Sequence, residues 1–401
     1  MNQSLWQKLK RVKLIDFVHI FIFLAAFPCS LIYKRRHKDL WLFCDLAGEA
    51  RDNGYWLFRY VRKEHPEVDA VFALDEKSPD YVKVQALGKT IRFGSFWHWV
   101  LYLSARNVIS SQKASGPNPS VCYVLERCRI FRGNKIFLQH GIIKDNISYL
   151  YYKYTNIRLF TCSTKRELDY VKEYYGYPEG NVQLLGLCRF DELLRSEKIE
   201  KTLLIMPTWR KWLSHPTEGT RSQDLEKIFL ESAYYQKWSA FLESAELHDA
   251  LEKNGWTVVF YLHREAQKYS RYFAPSNKNI RIATFPESDV QELLKKAEVL
   301  ITDYSSVAMD FAILDKPLYY YQFDYQEFRR RHLEEGYFDY VQDGFGAVCE
   351  TEEELLSFVC EHIAGIKDED PKYQLRRDEF FTLKDQNNCK RTYEAIKTLH
   401  C

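Results

Sequence analysis

The chain has 401 residues, a formal net charge of +2 at pH 7, 46% hydrophobic and 28% charged residues, and ten cysteines. The near-neutral charge argues against a general nucleic-acid-binding protein, so no nucleic acid is expected as a partner. The length exceeds one typical hydrophobic core and predicts two domains of ordinary size. Because the cysteines form no C-x-x-C pair and have no metal-ligand spacing alongside histidine, we interpret them as reduced thiols in the cytoplasm.

The first predicted element is an apolar run from Leu14 to Tyr33 with basic residues on both sides. It contains Asp16, His19 and Pro28, which argue against a helix that spans a membrane. Basic flanks are typical of a helix that lies on an anionic cytoplasmic leaflet, and a buried helix of the first domain is the alternative interpretation. We therefore predict that residues 1–38 associate with the cytoplasmic face of the cell membrane, where the protein would be peripheral.

From residue 39 onward, short apolar runs alternate with segments of helical periodicity. Such alternation predicts a mostly parallel sheet with helices on both faces. In the order strand, helix, strand, helix, strand, strand, the elements predicted in the first half are Leu40–Phe43, Asn53–His65, Val68–Leu74, Phe96–Ala105, Asn107–Ser111 and Lys135–Leu138.

A second series of apolar runs, after a charged stretch at Glu192–Thr202, predicts a second sheet. Its predicted strands are Leu203–Met206, Trp256–Leu262, Ile280–Ala283, Val299–Thr302 and Pro317–Tyr321. We therefore predict an α/β protein with two doubly wound domains, residues 39–195 and 196–401, which face one another across a cleft. The polar segment Ser214–Asp224 is interpreted as a mobile loop.

The sequence from Ile301 to Tyr321, ITDYSSVAMDFAILDKPLYYY, places two hydroxyl groups where a buried strand runs into a helix. Asp303–Ser306 supply turn and N-cap residues, and Val307–Leu314 carry apolar residues at helical spacing. Unpaired N–H groups at the start of this helix would attract an anion such as a nucleotide diphosphate, and the macrodipole would add to the attraction. Alone, the segment would be interpreted as an ordinary capped helix.

Four polar residues follow directly after predicted strands: His140, Thr208, His263 and Ser305. Ligands of open parallel sheets lie beyond the carboxyl ends of the strands, so these residues are predicted to line one cleft. A single histidine is more often a structural hydrogen-bonding residue than a catalyst, but the positions of His140 and His263 make both candidates. Gly141 would let the backbone approach a phosphate closely.

Six segments, including those above, occur in one order along the chain. They are Gly48–Tyr55, Phe137–Gly141, Leu187–Asp191, Met206–Arg210, Tyr261–His263 and Ile301–Tyr321. In this combination, the sequence from Leu40 to about Leu355 resembles the CDP-glycerol glycerophosphotransferase family, whose members prime or polymerise teichoic acids and related capsular glycans. The resemblance implies the two-Rossmann arrangement called GT-B. It also implies transfer of glycerol phosphate from CDP-glycerol, with release of CMP, to a hydroxyl of a lipid-linked saccharide or a growing polymer.

The resemblance further implies the roles of individual residues. His140 would be the general base on the acceptor side and His263 would bind the diphosphate and stabilise the leaving CMP, although the sequence allows these two roles to be exchanged. Arg189 and Arg210 would contact phosphate oxygens. Asp303 would orient the turn, because a carboxylate beside a diphosphate would repel it. The other substrate-binding residues implied are Gly141, Pro207, Thr208, Ser305, Ser306 and Asp310.

The chain departs from the family pattern in two places. Many polymerising members have Thr-Pro after His-Gly, where this chain has Ile142–Asp145, and Tyr261 and Arg264 occupy positions around His263 that often hold a basic residue and proline. CDP-ribitol or another CDP-polyol is therefore an alternative donor, and the chain length favours a primase or single-addition enzyme. A GT-B glycosyltransferase that uses a nucleotide sugar, or a membrane-associated binding protein without turnover, are the alternatives of another class.

No metal and no cofactor are expected. Asp368–Asp370 matches the D-x-D pattern of metal-dependent glycosyltransferases, but it lies in a charged C-terminal segment far from the strand-end motifs. Arginine, histidine and helix N-termini would neutralise enough charge for a metal-independent reaction.

Overall fold

The structure is a computed structural model that describes residues 13–128, 130–195, 197–214, 222–366 and 368–399. Most of the predicted loop Ser214–Asp224, and residues 1–12 of the predicted membrane segment, lie outside the described residues. The chain forms two compact units. Within the described residues, unit 1 comprises Met1–His140, Ser148–Asp191 and Asp385–Cys401, and unit 2 comprises Gly141–Ile147 and Glu192–Lys384.

Unit 1 is built on a sheet of seven strands, each parallel to its neighbours. The strands are β1 (Trp41–Phe43), β2 (Ala70–Leu74), β3 (Thr90–Arg92), β4 (Asn107–Ser110), β5 (Asn134–Phe137), β6 (Leu159–Cys162) and β7 (Val182–Leu184). Their spatial order is β3-β2-β1-β4-β5-β6-β7. The chain therefore extends the sheet in one direction from β1 and in the opposite direction from β4.

In the described ranges, eight helices and a 3-10 turn at Ser148–Leu150 precede, connect or follow these strands. The helices are α1 (Leu14–Arg36), α2 (Asn53–Glu64), α3 (Tyr81–Gln85), α4 (Phe96–Ser104), α5 (Pro119–Arg127), α6 (Tyr152–Thr155), α7 (Lys165–Tyr174) and α8 (Phe190–Leu193). Side-chain caps fix several of their starts. Asp52 accepts a hydrogen bond from the first backbone N–H of α2, and Ser95 accepts one from His98 in α4.

Alternate residues of the central strands of unit 1 enter two separate hydrophobic cores. Phe43 packs with Phe58 of α2 in one core, whereas the adjacent Leu42 packs with Trp99 of α4 in the other. Successive side chains of a strand point to opposite faces of the sheet, so helices cover both faces, as predicted.

Helix α1 packs on unit 1 with its polar residues directed inward. The carboxylate of Asp16 accepts a 2.8 Å hydrogen bond from Asn118, and Nδ1 of His19 accepts a 3.0 Å hydrogen bond from the Trp99 indole. Ala26 is fully buried. By length and composition α1 could cross a membrane. Its outward side exposes the large apolar residues Leu14, Phe17, Phe21, Leu24, Leu31 and Ile32.

Unit 2 is built on a six-stranded parallel sheet. Its strands are β8 (Glu200–Ile205), β9 (Thr257–Tyr261), β10 (Ile280–Ala283), β11 (Ala297–Thr302), β12 (Leu318–Tyr321) and β13 (Gly346–Cys349). The spatial order is β10-β9-β8-β11-β12-β13, which is the order of the Rossmann fold. Trp238, Phe260 and Ile301 are fully buried in its core.

The remaining helices include nine between β8 and the end of unit 2, together with a 3-10 helix at Arg264–Tyr272. They are α9 (Lys211–Ser214), α10 (Ser222–Leu230), α11 (Ala233–Leu242), α12 (Ala245–Asn254), α13 (Val290–Lys296), α14 (Val307–Ala312), α15 (Tyr325–Arg331), α16 (Glu352–Ile363) and α17 (Pro371–Phe380). The last helix of the chain is α18 (Asn388–Lys397).

The two units differ from the predicted domains at two segments. α18 was predicted in the second domain but belongs to unit 1, because Tyr393 and Ile396 pack in the core beneath α2. Asp191 fixes the start of α18 by accepting a 2.8 Å hydrogen bond from the backbone N–H of Asn388. Residues 141–147, predicted in the first domain, belong to unit 2, where Asp145 forms an ion pair with Arg329.

Candidate active site

The candidate site of unit 2 lies at the carboxyl ends of β8 and β11, where the strand order reverses. Open α/β sheets bind ligands at such a point, because the loops after the two strands diverge and leave a crevice. Met206–Arg210 follows β8, and Asp303–Ser306 follows β11. The hydroxyl of Thr302 donates a 2.7 Å hydrogen bond to the carbonyl of Met206, which ties the two loops together at their base.

The carboxylate of Asp303 holds these two loops in place. It accepts hydrogen bonds from the backbone N–H groups of Thr208 at 2.7 Å and Tyr304 at 2.6 Å, and it forms an ion pair with Arg210 at 2.9 Å. Asp303 is fully buried. It therefore orients the turn, which is the role that the sequence favoured.

The guanidinium of Arg210 is buried and bonded on several sides. Its Nε and Nη2 donate to the two oxygens of Asp324 at 2.7 and 2.9 Å. Burial alone would lower the pKa of Arg210, but the charges of Asp303 and Asp324 raise it. The rings that surround it at 5.0 to 5.2 Å belong to Tyr304, Tyr234 and Phe328. The geometry corrects the expectation that Arg210 contacts phosphate: its side chain has no accessible surface, and it organises the loops.

Two features of the unit 2 loops suit a ligand. The Thr208 hydroxyl is buried and has no hydrogen-bond partner in the described part of the chain. Gly141 packs so closely on Ser306 that an added Cβ would lie 2.7 Å from the Ser306 Oγ. A larger residue at position 141 would therefore have to displace the Ser306 side chain.

The helix after the serine pair is shorter than predicted, because α14 ends at Ala312. Ser306 is its N-cap residue and has helical backbone angles and no side-chain cap, while Ser305 Oγ accepts a 3.3 Å hydrogen bond from the backbone of Val307. Pro207 and Asp310 are both buried. A helix of this length has a small macrodipole, so a bound anion would depend on hydroxyl and N–H groups of the loops.

Two histidines flank the ring of Trp209. The His263 ring stacks with Trp209 at 6.0 Å, and the His332 ring meets it edge-on at 4.8 Å. Nδ1 of His263 accepts a 3.2 Å hydrogen bond from the backbone of Glu265, and Nδ1 of His332 accepts one of 3.1 Å from Lys211. In the neutral form, each ring therefore carries its proton on Nε2 and can donate it in a hydrogen bond. Burial and then nearby cations lower the pKa of His332 to about 3.

In unit 1 the strand order reverses between β1 and β4. The residues that follow these strands include Asp45 and Ser111, and the backbone N–H of Ser111 donates a 2.7 Å hydrogen bond to Asp45. Burial, followed by the charge of Asp52, raises the pKa of Asp45 to about 7. The backbone N–H of Gly54 donates a 2.9 Å hydrogen bond to the Ser111 hydroxyl, so α2 begins against this end of the sheet.

His140 follows β5 after a residue with an unusual backbone conformation. Gln139 has a φ of 65°, a region that costs a non-glycine residue about 1–3 kcal/mol. Its side chain donates a 2.9 Å hydrogen bond to Glu167, and its carbonyl accepts one of 2.7 Å from the Asn53 amide. These contacts hold the turn that determines the direction in which His140 leaves the sheet.

The imidazole of His140 is exposed to solvent yet partly desolvated by the protein around it. Desolvation lowers the pKa of His140 below 6.5, while Asp52 raises it and Arg189 lowers it further. A hydrogen bond with the backbone of Ser111 also favours the protonated ring, as expected when a ring N–H donates to a carbonyl. The second ring nitrogen is then the basic one in the neutral form.

The structure divides the predicted residues between the units. Unit 1 carries His140 and Arg189, and the Arg189 guanidinium is buried and donates to Asp52 at 3.1 Å. Unit 2 carries Gly141, Pro207, Thr208, Arg210, His263, Ser305, Ser306 and Asp310. The residues that the sequence did not assign are Asp52, Asn53, Asp324 and His332. The first two lie in the Gly48–Tyr55 segment, which was the available signal, whereas Asp324 and His332 lie outside every motif.

The D-x-D segment forms a helix start. Asp370 caps α17 by accepting a 3.0 Å hydrogen bond from the backbone of Lys372, and Glu369 forms an ion pair with Arg377. Across the described ranges, no group of three or more His, Cys, Asp or Glu side chains is arranged to hold a metal ion.

Solved structures match 90% or more of the chain. The wall teichoic acid polymerase TagF matches with a TM-score of 0.65 at 15% identity, over 97% of this chain and 100% of that chain. TagF soaked with CDPG matches with a TM-score of 0.62 at 15% identity, over 96% and 97%. The UDP-GlcNAc 2-epimerase of Methanocaldococcus jannaschii matches with a TM-score of 0.53 at 12% identity, over 90% and 99%. These likenesses define the class: a two-domain α/β protein with a GT-B-like fold, as predicted.

Within that class, the chain belongs to the CDP-glycerol:poly(glycerophosphate) glycerophosphotransferase family, which it matches over residues 26–398. The minor teichoic acid biosynthesis protein GgaB of Bacillus subtilis (strain 168) is 34% identical over 366 residues. This match covers 90% of the chain but 40% of GgaB. The teichoic acid glycerol-phosphate primase of the same organism is 25% identical over 211 residues, 51% of the chain and 49% of the primase. The chain thus spans two fifths to one half of these relatives.

Proposed function

We propose that this protein transfers a polyol phosphate, glycerol phosphate in the first instance, from its CDP derivative to a hydroxyl and releases CMP. Its family and its similarity to GgaB and to a glycerol-phosphate primase support this reaction and a place in teichoic acid or related surface-glycan synthesis. The TagF crystals soaked with CDPG support CDP-glycerol as the donor. We propose a lipid-linked saccharide or a growing polymer as the acceptor.

The proposal rests on one observation: the rings of His140 and His263 interact with the backbone in opposite senses, one as donor and the other as acceptor. The backbone N–H of Glu265 donates a 3.2 Å hydrogen bond to Nδ1 of His263, whereas the backbone of Ser111 interacts with the His140 ring in the sense that raises the pKa of that ring. Neutral His140 therefore keeps a free basic nitrogen, and neutral His263 keeps an Nε2–H donor. The lowered pKa of His140 favours its neutral form near pH 7. This polarity supports His140 as the base and His263 as the donor, and it disfavours the exchanged roles.

The reaction follows from these roles. The basic nitrogen of His140 removes the proton from the acceptor hydroxyl as its oxygen attacks the phosphorus bonded to the polyol. The bond from that phosphorus to the CMP oxygen breaks, and CMP leaves with the bonding electrons. Nε2–H of His263 donates a hydrogen bond to the leaving phosphate, where negative charge increases. The attacked phosphorus ends in a phosphodiester between acceptor and polyol.

The unit 2 loops are proposed to bind the diphosphate. The Gly141–Ser306 contact supports this assignment, and Thr208 is proposed to act from the same loop, which Pro207 shapes. Ser305 and Asp310 are proposed further contacts to phosphate or polyol hydroxyls. Arg189 is proposed to balance negative charge near His140, since its guanidinium already pairs with Asp52.

We also propose that α1 holds the protein on the cytoplasmic face of the cell membrane. Its inward polar residues bond to unit 1, and its outward face is almost wholly apolar. Lys34, Arg35 and Arg36 at its end would meet anionic head groups. A helix of this kind suits a position in the plane of the interface.

Release of CMP from a donor panel tests the proposed function. Full-length protein would be incubated with a lipid-linked glycan extract and, in turn, CDP-glycerol, CDP-ribitol and UDP-sugars, with the His140→Ala variant as control. We expect CMP release from one CDP-polyol, lost in the variant. Release of UDP from a UDP-sugar alone would contradict the proposal and support a glycosyltransferase.

A further inference from the structure

The segment Asp52–Gly54 has no part in the proposed reaction steps, and it touches the residues that follow four strands of unit 1. It opens helix α2 at the point where the strand order reverses. Gly54 donates its backbone N–H to Ser111 after β4, at 2.9 Å. Its Cα lies so close to the Asp45 carboxylate, after β1, that a Cβ would overlap both oxygens. The other two residues contact the loops after β5 and β7.

Asn53 joins the loops that carry His140 and Arg189. Its side-chain amide donates a 2.7 Å hydrogen bond to the carbonyl of Gln139, and its side-chain oxygen accepts a 2.9 Å hydrogen bond from the backbone N–H of Arg189. Asn53 is fully buried. Since Gln139 occupies the left-handed region directly before His140, the Asn53 amide helps hold the strained turn.

Asp52 sets the charge beside His140. One of its oxygens accepts hydrogen bonds from the backbone N–H of Asn53 at 2.8 Å and from the Arg189 guanidinium at 3.1 Å. Both ends of this ion pair lie near enough to the imidazole to act on its protonation, with opposite signs.

We propose that Asp52 and Asn53 are positioning residues for the transfer reaction: Asn53 fixes the turn that presents His140, and Asp52 holds the guanidinium of Arg189. This inference rests on the proposed role of His140 as the base. Neither residue is proposed to touch substrate. Both act through His140 and Arg189.

The charged groups around His140 come from several elements. Asp52 at the start of α2 favours its protonation, and Arg189 after β7 opposes it. Asp45 after β1 is buried next to Asp52, with a pKa raised to about 7 by burial and then by the Asp52 charge. Glu167 on α7 accepts the hydrogen bond of Gln139. Loss of the Asp52 charge should therefore lower the pKa of His140, because the remaining neighbours include Arg189.

The protonation test follows His140 directly by NMR titration of histidine-labelled full-length protein, with His140→Gln to assign its signal. We expect the midpoint for His140 to move to lower pH in Asp52→Asn and to return in Asp52→Glu. The matched control is Glu126→Gln, which removes the carboxylate of the Glu126–Lys135 pair at the amino end of β5. An unchanged midpoint in Asp52→Asn would overturn the assignment of Asp52.

The turn test compares two buried asparagines. Asn53→Ala should lower kcat about 100-fold through misplacement of His140, with little change in KM for CDP-glycerol. Asn134→Ala is the control, because Asn134 is also buried and bonds to Asn107 at 3.0 Å at the amino end of β5. We expect it to lower stability without lowering kcat. Equal losses of kcat in both variants would overturn the positioning role of Asn53.

Different results would overturn the positioning role of Asp52 and the proposed role of His140 as the base. A shifted His140 midpoint in Asp52→Asn, with turnover whose pH dependence does not follow it, would support the positioning role and remove His140 as the base. An unshifted midpoint would overturn the inference whatever the turnover. If Asp52→Asn did not fold, Asn53→Ala would decide, since its readout is kcat relative to its folded control.

Discussion

The pKa of His140 predicts how the activity of the protein depends on pH. The base must be neutral, and desolvation together with Arg189 lowers the pKa of His140 below 6.5. Above that pKa the neutral form dominates and activity is present; activity is lost as the pH falls through it. We expect the acidic limb of kcat with CDP-glycerol to have its midpoint below 6.5. A midpoint above the ordinary imidazole value would show that a different group limits turnover.

Arg210 makes a prediction about stability. Removal of one partner from a buried ion-pair network leaves uncompensated charge, so Arg210→Ala should lower the free energy of unfolding by about 3–5 kcal/mol. Urea denaturation of the full-length protein, followed at the transition of unit 2, measures this loss of stability. The control is Lys253→Ala, which removes an exposed pair with Asp249 at 3.1 Å and should cost no more than about 1 kcal/mol. Comparable small losses would contradict the anchoring role of Arg210.

Gly141 makes a prediction about packing. The methyl group of Gly141→Ala would lie 2.7 Å from the Ser306 Oγ, an overlap that should destabilise the loop by about 1–3 kcal/mol and raise KM for CDP-glycerol. Steady-state kinetics and thermal denaturation measure the two effects. Gly48→Ala is the control, since nothing lies within 4 Å of its added Cβ. A KM unchanged from the wild type would argue against a role for this loop in donor binding.

At the residue scale, the sequence predicted where the candidate residues lie better than it predicted which residues they contact. His140, Thr208 and Ser305 were predicted beyond the ends of strands, and the structure has them there. The burial of Arg210 could not be predicted, because its partners Asp303 and Asp324 come from distant loops that only the folded sheet brings together. The roles of the two histidines depend on backbone hydrogen bonds, which residue identity does not reveal.

Helix α1 makes a prediction at the scale of an element. Phe21→Glu combined with Leu24→Glu places charge on side chains that are 72% and 57% exposed, so unit 1 should stay folded. We expect this variant to lose co-sedimentation with phosphatidylglycerol vesicles, because the apolar face would no longer enter the interface. Ile366→Glu is the control, since it alters an exposed apolar residue of unit 2. Unchanged sedimentation of the α1 variant would contradict the membrane role.

The polar residues of α1 also show why its orientation was hard to predict. Asp16 and His19 counted against a spanning helix, but the structure directs both toward unit 1. Nine strands were predicted from apolar runs. Strands β3, β6, β7 and β13 were not predicted; they are no shorter than β1, so length alone does not explain the difference.

At the scale of the whole molecule, the class of fold was predictable from alternating strands and helices, whereas the course of the chain was not. The chain enters unit 2 for residues 141–147 and returns to unit 1 for 385–401. These exchanges depend on contacts between residues distant in sequence, such as Asp191 with Asn388. A domain boundary that is predicted from local composition does not take such contacts into account.

In the proposed reaction, a phosphorus atom moves together with its polyol. The most direct measurement uses CDP-glycerol that carries tritium in the glycerol and radioactive phosphorus in the phosphate bonded to it, with full-length protein and a lipid-linked glycan extract. We predict that both labels enter the acceptor in the ratio of the donor, that CMP leaves unlabelled, and that His140→Ala abolishes transfer. Tritium without phosphorus in the acceptor would place the broken bond at carbon and contradict phosphoryl transfer.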